Sequence, residues 1–236
     1  MAADEATFIS RIADHVARNW RAPDHGIWEA RIEPLQYTHS KVMAWDALQH
    51  AAMLVDEGRI KGDAERWRGE ADDLRDLVLT HAYNHKLGAF TQTLDGDQLD
   101  SAVLIMPLVG FIDPIDARMQ STIDVLRDRL VTDGFIARYS GFDDGLPPGE
   151  GAFIACNFWL AAAFAACGRV DDAHDVFRRT TDAMNDLGLM AEEYDPRSGE
   201  MLGNFPQGLS HLTLINAALA IDEAERKKSR RWSTPK

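Results

Sequence analysis

The sequence predicts an all-α domain whose helical hairpins form a closed or partly closed ring. Apolar side chains recur at three- and four-residue spacing, and strand-like alternation is almost absent. Short and long connections alternate between the helical segments, so we expect the long loops to gather at one end of the ring and to carry function. At 236 residues and 45% hydrophobic, the chain is long enough to bury one large core.

Periodicity and helix-end signals divide the chain into about eight helices. Trp67, Leu74 and Val78 mark one repeating apolar face. Asp113-Pro114 predicts a helix start, because it places an N-cap residue before a proline at the first helical position. The predicted helices lie near residues 5–19, 39–57, 63–84, 98–109, 114–131, 151–167, 170–187 and 208–225. They make up a single domain at 1–226, followed by a solvated basic tail at 227–236.

The charge of the chain limits its partners. A formal net charge of −13 argues against nucleic acid and anionic membrane, which require a basic surface, and favours a neutral or cationic ligand. The sequence contains no apolar run of membrane-spanning length, and charged residues interrupt the first twenty positions, where a signal peptide would be apolar. We therefore expect a cytoplasmic protein with no membrane partner.

We expect no metal and no other cofactor. The acidic run at 72–76 matches a magnesium-binding pattern of terpene synthases, but it has no companion motif and lies on an amphipathic helix. Asp95-Gly96-Asp97 lacks the full calcium loop and is a turn candidate. No cluster of histidine and cysteine has the spacing of zinc ligands.

The loop at 20–38 and the helix after it contain the first chemical motif. The loop includes Trp28-Glu29, and Tyr37-Thr38-His39-Ser40-Lys41 follows. These residues resemble a segment of glucoamylase-like and trehalase-like hydrolases, in which a Trp-Glu pair supplies the general acid and a Thr-His-Ser-Lys run opens the next helix. The resemblance implies that Glu29 is the acid and that Trp28, Tyr37, His39 and Lys41 bind substrate. His39 is alternatively a packing residue at the helix start.

A second motif lies near residue 192. Ala191-Glu192-Glu193-Tyr194 resembles the general-base loop of the same hydrolases, which implies that Glu192 activates water and that Glu193 binds substrate or exchanges roles with it. The run at 202–207 is similar to the closing loop of the family. Arg138-Tyr139 and the run at 143–153 resemble a sugar-contacting loop. Trp45 and Trp159 lie in helical patterns and are predicted core residues.

Glycoside hydrolysis explains why two carboxyl groups are needed. One must be protonated to assist the departing oxygen, and the other must be ionised to act on water or on the sugar. Trp28 gives Glu29 an apolar neighbour, which favours the neutral acid, whereas Glu192 is expected in a more polar environment. The family inverts configuration, and the resemblance therefore implies a carboxyl separation of roughly 6.5–9.5 Å.

The resemblance runs from about residue 7 to 224 and implies an (α/α)6-barrel-like domain, a toroid of six helical hairpins. Eight of twelve helices would leave this barrel incomplete, and no early Arg-Asp motif precedes Glu29. The expected function is an inverting glycoside hydrolase acting on an α-linked glucose oligosaccharide or disaccharide. The alternative is a truncated or partner-dependent carbohydrate-binding protein without catalysis. An open ring exposes an apolar edge, so a homo-oligomer or a complementing chain is a further expectation.

Overall fold

A computed structural model describes residues 2–141 and 151–233, with side chains described up to residue 229. Seven α-helices occur in this part of the chain, together with one 3₁₀ helix at Ser101–Ile105. The α-helices are α1 Ala3–Asn19, α2 Thr38–Asp56, α3 Ala64–His81, α4 Ala117–Leu130, α5 Ile154–Ala166, α6 Val170–Thr181 and α7 Gly208–Ser233. The prediction of an all-α domain is confirmed.

Short antiparallel strands connect several helices. They form two hairpins and one three-stranded sheet with the order β5-β6-β7. The strands are β1 Tyr83–Asn84, β2 Ala89–Phe90, β3 Val131–Thr132, β4 Phe135–Ile136, β5 Ala152–Phe153, β6 Glu193–Asp195 and β7 Glu200–Leu202. Strands of two or three residues are too short to show alternation, so the sequence pattern did not reveal them.

Three predicted helix starts were wrong. The helix predicted from 151 begins at Ile154, because Ala152–Phe153 form β5. The segment 98–109 contains only the 3₁₀ helix, capped by Asp100, whose side chain accepts a hydrogen bond from Ala102 N at 2.7 Å. Helix α4 begins at Ala117 and not at 114, and its cap is Asp116. Asp113 instead accepts a hydrogen bond from Ile115 N at 3.0 Å, which closes a turn before the helix.

Three predicted helix ends also differ. Helix α3 stops at His81, because the next residues pair as β1 with β2. Helix α6 stops at Thr181, six residues before the predicted end, and α7 continues to Ser233 beyond the predicted end at 225.

Helix α5 is the central helix of the second half of the domain. All its residues from Ile154 to Ala165 are buried, and it packs against both α6 and α7. A helix that is apolar on all sides belongs inside a fold. Helices α2 and α3 form the main pair of the first half. The start of α5 directly follows β5, which places the three-stranded sheet at one end of the helices.

Helix α7 has two apolar faces. Ala217 and Ile221 are buried, whereas a stripe on the opposite face is exposed. The stripe consists of Leu209, Leu212, Ile215 and Leu219. Residues three and four apart share one side of a helix, so these side chains form a continuous apolar surface. The homo-oligomer or complementing chain expected from an open ring stays a prediction.

Two further observations concern the described residues. None of their helices combines the length and the apolar content that crossing a bilayer requires. No three histidine, cysteine, aspartate or glutamate side chains converge there as they would around a metal ion. The acidic run at 72–76 lies on α3, and Asp95 lies in a turn beside His81.

Candidate active site

Glu29 lies in an unusual backbone conformation. Its φ of 52° is in the left-handed region, which costs a non-glycine residue about 1–2 kcal/mol. Hydrogen bonds on both sides hold this turn, from Glu29 N to Gly26 O at 3.3 Å and from Ala30 N to His25 O at 3.0 Å. Ala30 is buried, whereas Glu29 is exposed. The loop therefore fixes the backbone of Glu29 while it leaves the side chain in solvent.

Trp28 anchors this loop in a group of aromatic rings. We call Trp28, Tyr139, Phe153 and Trp159 the aromatic cluster. The Trp28 ring lies 6.2 Å from Tyr139, 5.4 Å from Phe153 and 6.2 Å from Trp159, measured between ring centroids. Trp159 is largely buried, as predicted for a core residue, but it lies directly against Trp28. Aromatic faces of this kind suit the apolar C–H faces of a sugar ring.

Arg138 adds a positive charge to the aromatic cluster. Its guanidinium carbon lies 5.4 Å from the ring centroid of Trp28, 5.1 Å from Tyr139 and 5.9 Å from Phe153. These distances are within the range of cation–π attraction. A guanidinium carries five N–H donors, a group type that suits the hydroxyls of a sugar.

Tyr37 and His39 lie on the inner side of the 20–38 loop. Tyr37 is 3% exposed, and a Cβ added at Gly26 would lie 2.9 Å from its ring. Burial, with Asp24 and Asp100 nearby, raises the pKa of Tyr37. Burial lowers the pKa of His39 to about 4, so the imidazole is neutral at pH 7. The His39 Nε2 atom is buried and has no hydrogen-bond partner among the described residues.

Lys41 is buried beneath the same loop. The residue is 1% exposed, and Nζ donates to Trp20 O at 2.7 Å and to Ala22 O at 2.8 Å. It also lies 3.7 Å from the Asp24 carboxylate. These contacts occupy the ammonium, so in this structure Lys41 holds the start of the loop and does not face solvent. Its predicted contact with substrate is not favoured by this burial.

Glu192 is held by strands and by the loop at 203–204. Ile154 N donates to Glu192 O at 3.0 Å, and Glu192 N donates to Asn204 O at 3.0 Å. The Glu192 Oε2 atom accepts from Asn204 N at 3.2 Å and from Asn204 Nδ2 at 3.1 Å. Gly203 leaves the space for this carboxylate, since a Cβ there would lie 2.8 Å from Oε2. Two donors from Asn204 therefore fix the direction of this partly exposed carboxylate.

Glu193 has a different environment from Glu192. Its Oε2 atom accepts from Gly151 N at 3.1 Å, and the side chain is half-buried. Burial raises the pKa of Glu193, which the Gly151 hydrogen bond and the charge of Arg138 oppose. Glu193 is therefore the less suitable of the two adjacent carboxylates to act as an ionised base.

Phe153 connects the two motifs. Its ring packs against Trp28, and its backbone pairs with Glu193 across β5 and β6. The structure thus brings Trp28, Arg138 and Glu193 to one region, with Tyr139 in the same cluster. Tyr37, His39 and Lys41 lie under the loop instead. The predicted sugar-contacting residues 143–150 lie outside the described residues.

Sequence reasoning missed Asp100 as a part of this region. Asp100 Oδ2 accepts from Trp28 Nε1 at 2.8 Å, and Asp100 is only 3% exposed. A helix-cap signal at Asp100 was present in the sequence, but it gave no indication of the contact with Trp28, which is 72 positions away.

Comparisons with known proteins identify the family. The profile of glycosyl hydrolases family 15 matches residues 2–219. A trehalase from Mycobacterium tuberculosis is 40% identical over 219 residues, which cover 92% of this chain and 32% of that protein. A trehalase from Thermoplasma volcanium is 33% identical over 222 residues, or 94% of this chain and 36% of that protein. The chain spans about a third of the length of these curated relatives.

Solved structures share the fold. A glycosidase superposes with a TM-score of 0.77 at 19% identity, covering 89% of this chain and 58% of that chain. A bacterial glucoamylase complexed with acarbose gives a TM-score of 0.75 at 16% identity, covering 91% of this chain and 37% of that chain. The predicted barrel of helical hairpins, present here in part, is confirmed. The chain belongs to glycosyl hydrolases family 15.

Proposed function

We propose that this protein hydrolyses an α-glucosidic bond by single displacement, with trehalose as the first substrate to test. Its family and two relatives named trehalases support this proposal. The observation that carries it is the position of Phe153, whose ring packs on Trp28 beside Glu29 and whose backbone pairs with the residue after Glu192. Two glutamates on separate loops thereby border one aromatic and cationic surface.

In the proposed reaction, Glu29 is the general acid and Glu192 is the general base. Glu29 donates its proton to the glycosidic oxygen as the bond from that oxygen to the anomeric carbon breaks. Glu192 removes a proton from water, whose oxygen forms the new bond to the opposite face of the carbon. Glu29 ends the step ionised and Glu192 protonated, and exchange with solvent restores both. The two Asn204 donors hold the Glu192 carboxylate in one orientation for this step.

The aromatic cluster and Arg138 are the proposed sugar-binding surface. The rings offer apolar faces for the C–H bonds of glucose, and Arg138 and Glu193 offer donors and an acceptor for its hydroxyls. A positive charge would also repel the developing oxocarbenium ion, so Arg138 suits a position beside the departing sugar. The net charge of −13 is compatible with a neutral substrate.

Glucose release from trehalose, maltose and isomaltose tests the proposal, with proton NMR of the first anomers formed. Single displacement of trehalose gives one β-glucose and one α-glucose in equal amounts, whereas double displacement gives two α-glucose molecules. We expect Glu29→Gln and Glu192→Gln to lower kcat by at least about 100-fold. Glu33→Gln is a matched control, because Glu33 is exposed in the same loop.

Four results would contradict the proposal or one of its assignments. Two molecules of α-glucose from trehalose would exclude single displacement. Full activity in Glu29→Gln or Glu192→Gln would show that the substituted residue is not the acid or the base. Activity in Glu192→Gln but not in Glu193→Gln would indicate that Glu193 is the base. Sugar binding measured by calorimetry, with no glucose released from any substrate, would favour the carbohydrate-binding alternative.

A further inference from the structure

Asp100 is a buried carboxylate that contacts the loop of the proposed acid. It is 3% exposed, and both of its oxygens accept hydrogen bonds. Oδ2 accepts from Trp28 Nε1 at 2.8 Å and from Gln92 Nε2 at 3.0 Å, and Oδ1 accepts from Ala102 N at 2.7 Å. Burying a carboxylate is costly unless such donors compensate for lost water. The position of Asp100 therefore calls for an explanation beyond the cap of a 3₁₀ helix.

Helix capping does not account for this arrangement. A cap needs one acceptor oxygen, and asparagine or serine supplies it without a buried charge. The three donors around Asp100 require acceptors on both sides of the carboxyl group. An asparagine there would direct its own N–H₂ group at one set of these donors. The environment thus selects a carboxylate, and the additional donors belong to Trp28 and Gln92.

The hydrogen bond to Asp100 completes the fixation of Trp28. The aromatic cluster and Arg138 contact the ring of Trp28, and Asp100 holds its polar N–H edge. Trp28 directly precedes Glu29, and the buried Ala30 directly follows it. The strained backbone of Glu29 is consequently held between two anchored residues, and a rotation of Trp28 would change the direction of the Glu29 side chain.

The same residue connects the loop with the segment that carries Arg138. Asp100 and Tyr139 form an isolated antiparallel bridge, and Ser101 N donates to Arg138 O at 2.7 Å. The side chain of Asp100 thus reaches the acid loop, while its backbone neighbours hold the proposed sugar-binding segment. A shift at Asp100 would alter the relative position of both.

We propose that Asp100 is a positioning residue that sets the orientation of the general acid Glu29 through its hydrogen bond to the Trp28 indole. This inference rests on the proposed function for its effect on catalysis, but the geometry it claims can be measured separately. Asp100 itself does not touch the substrate. Misplacement of a reacting group by about 1 Å can reduce a rate about 100-fold.

Activity measurements give the first test. We expect Asp100→Asn to lower kcat on trehalose about 100-fold and to change KM less than about threefold, because it keeps the backbone bridge to Tyr139 and the contact of Trp28 with Phe153 while the acid is misplaced. Trp28→Phe removes the indole donor and keeps a ring. In that background, Asp100→Asn should cost less than about threefold further, because the bond it breaks is already absent. Asp63→Asn, at the exposed cap of α3, is the matched control and should retain full activity.

NMR of the ¹⁵N-labelled full chain gives a test that needs no turnover. The indole N–H signal missing in Trp28→Phe identifies Trp28 among the six tryptophans. Asp100→Asn should shift that signal and the backbone amide signal of Glu29, whereas Asp63→Asn should shift neither. If Asp100→Asn does not fold, Asp100→Ser, which keeps an acceptor for Ala102 N, takes its place in the same measurement.

The outcomes separate the two proposals. A wild-type protein that releases no glucose overturns the proposed function, and the Glu29 amide signal then still decides whether Asp100 positions that residue. An unmoved Glu29 signal overturns the positioning role. In an active protein, unchanged kcat in Asp100→Asn, or independent losses from the two substitutions, also overturns it.

Discussion

Replacement of Asp100 by asparagine should change how the stability of the protein depends on pH. Burial raises the pKa of Asp100 from 3.8 to about 6, although the hydrogen bonds to Ala102, Gln92 and Trp28 oppose this. The folded chain therefore retains the proton up to about pH 6, whereas the unfolded chain releases it near pH 4. Because the folded state binds more protons in this interval, the free energy of unfolding falls as pH rises through it.

The size of this effect follows from the two pKa values. At about 1.36 kcal/mol per pH unit, the difference between 3.8 and about 6 amounts to about 3 kcal/mol in total. About 2 kcal/mol of this is lost between roughly pH 4.5 and pH 7.5. His39 acts in the opposite direction, because burial lowers its pKa from 6.5 to about 4 and stability then rises with pH. The wild-type curve alone therefore conceals the contribution of Asp100.

Urea unfolding of the wild type and of Asp100→Asn at a series of pH values isolates the effect. The free energy of unfolding of the wild type minus that of Asp100→Asn should fall by about 2 kcal/mol from roughly pH 4.5 to pH 7.5, since the His39 contribution cancels. The lost hydrogen bonds add only a constant offset. A difference that is flat, or that rises with pH, would refute a raised pKa at Asp100.

Three further substitutions test the loops of the site. Glu29→Gly should raise the free energy of unfolding by about 0.5–1 kcal/mol and abolish glucose release, because glycine relieves the left-handed conformation at some cost in chain entropy. The control Asp133→Gly has the same φ of 52° and should stabilise the protein equally but retain activity. Destabilisation by both substitutions would contradict this reasoning. Gly203→Ala should reduce the rate of glucose release at least tenfold, because its Cβ would lie 2.8 Å from the carboxylate oxygen of the proposed base. The control Gly199→Ala has a similar φ of 74°, but its Cβ would meet only the Tyr194 hydroxyl at 3.9 Å, so it should affect stability alone. Lys41→Met should lower the free energy of unfolding by about 2 kcal/mol in urea titrations, because it leaves the buried carbonyl of Trp20 and the part-buried carbonyl of Ala22 without a donor. A loss below about 1 kcal/mol would mean that the ammonium does not hold the loop.

Much of the helical architecture could be predicted from local sequence. Helix α3 repeats buried apolar side chains at three- and four-residue spacing, and this repeat is visible without tertiary information. The prediction of a helix over 98–109 was wrong because its apolar residues are buried in a 3₁₀ helix and a series of turns, which have no distinct sequence period. The strands could not be predicted, because a strand of two residues depends on its pairing with another segment of the chain.

The residues of the candidate site could also be predicted only in part. The Trp28-Glu29 and Glu192-Glu193 motifs are contiguous and could be recognised, although their catalytic roles stay proposals. Asp100 could not be assigned, because its contact with Trp28 spans 72 positions and only the fold brings them together. The burial of Lys41 was equally hidden, since a lysine at the start of a helix is normally exposed.

Three buried polar residues share one location, which bears on how the site keeps its shape. Lys41, Asp100 and Gln92 are each at most 3% exposed, and each hydrogen-bonds to the 20–38 loop or to its anchor Trp28. Apolar residues of similar size would pack there at lower electrostatic cost, but they would not fix the direction of a backbone. The apolar side chains Trp20, Trp28 and Tyr37 pack the 20–38 loop against the core, but apolar packing alone does not set the direction of the exposed Glu29 side chain. The directional hydrogen bonds of the buried polar residues supply that constraint. We expect their loss to disturb the position of Glu29 before it unfolds the helices.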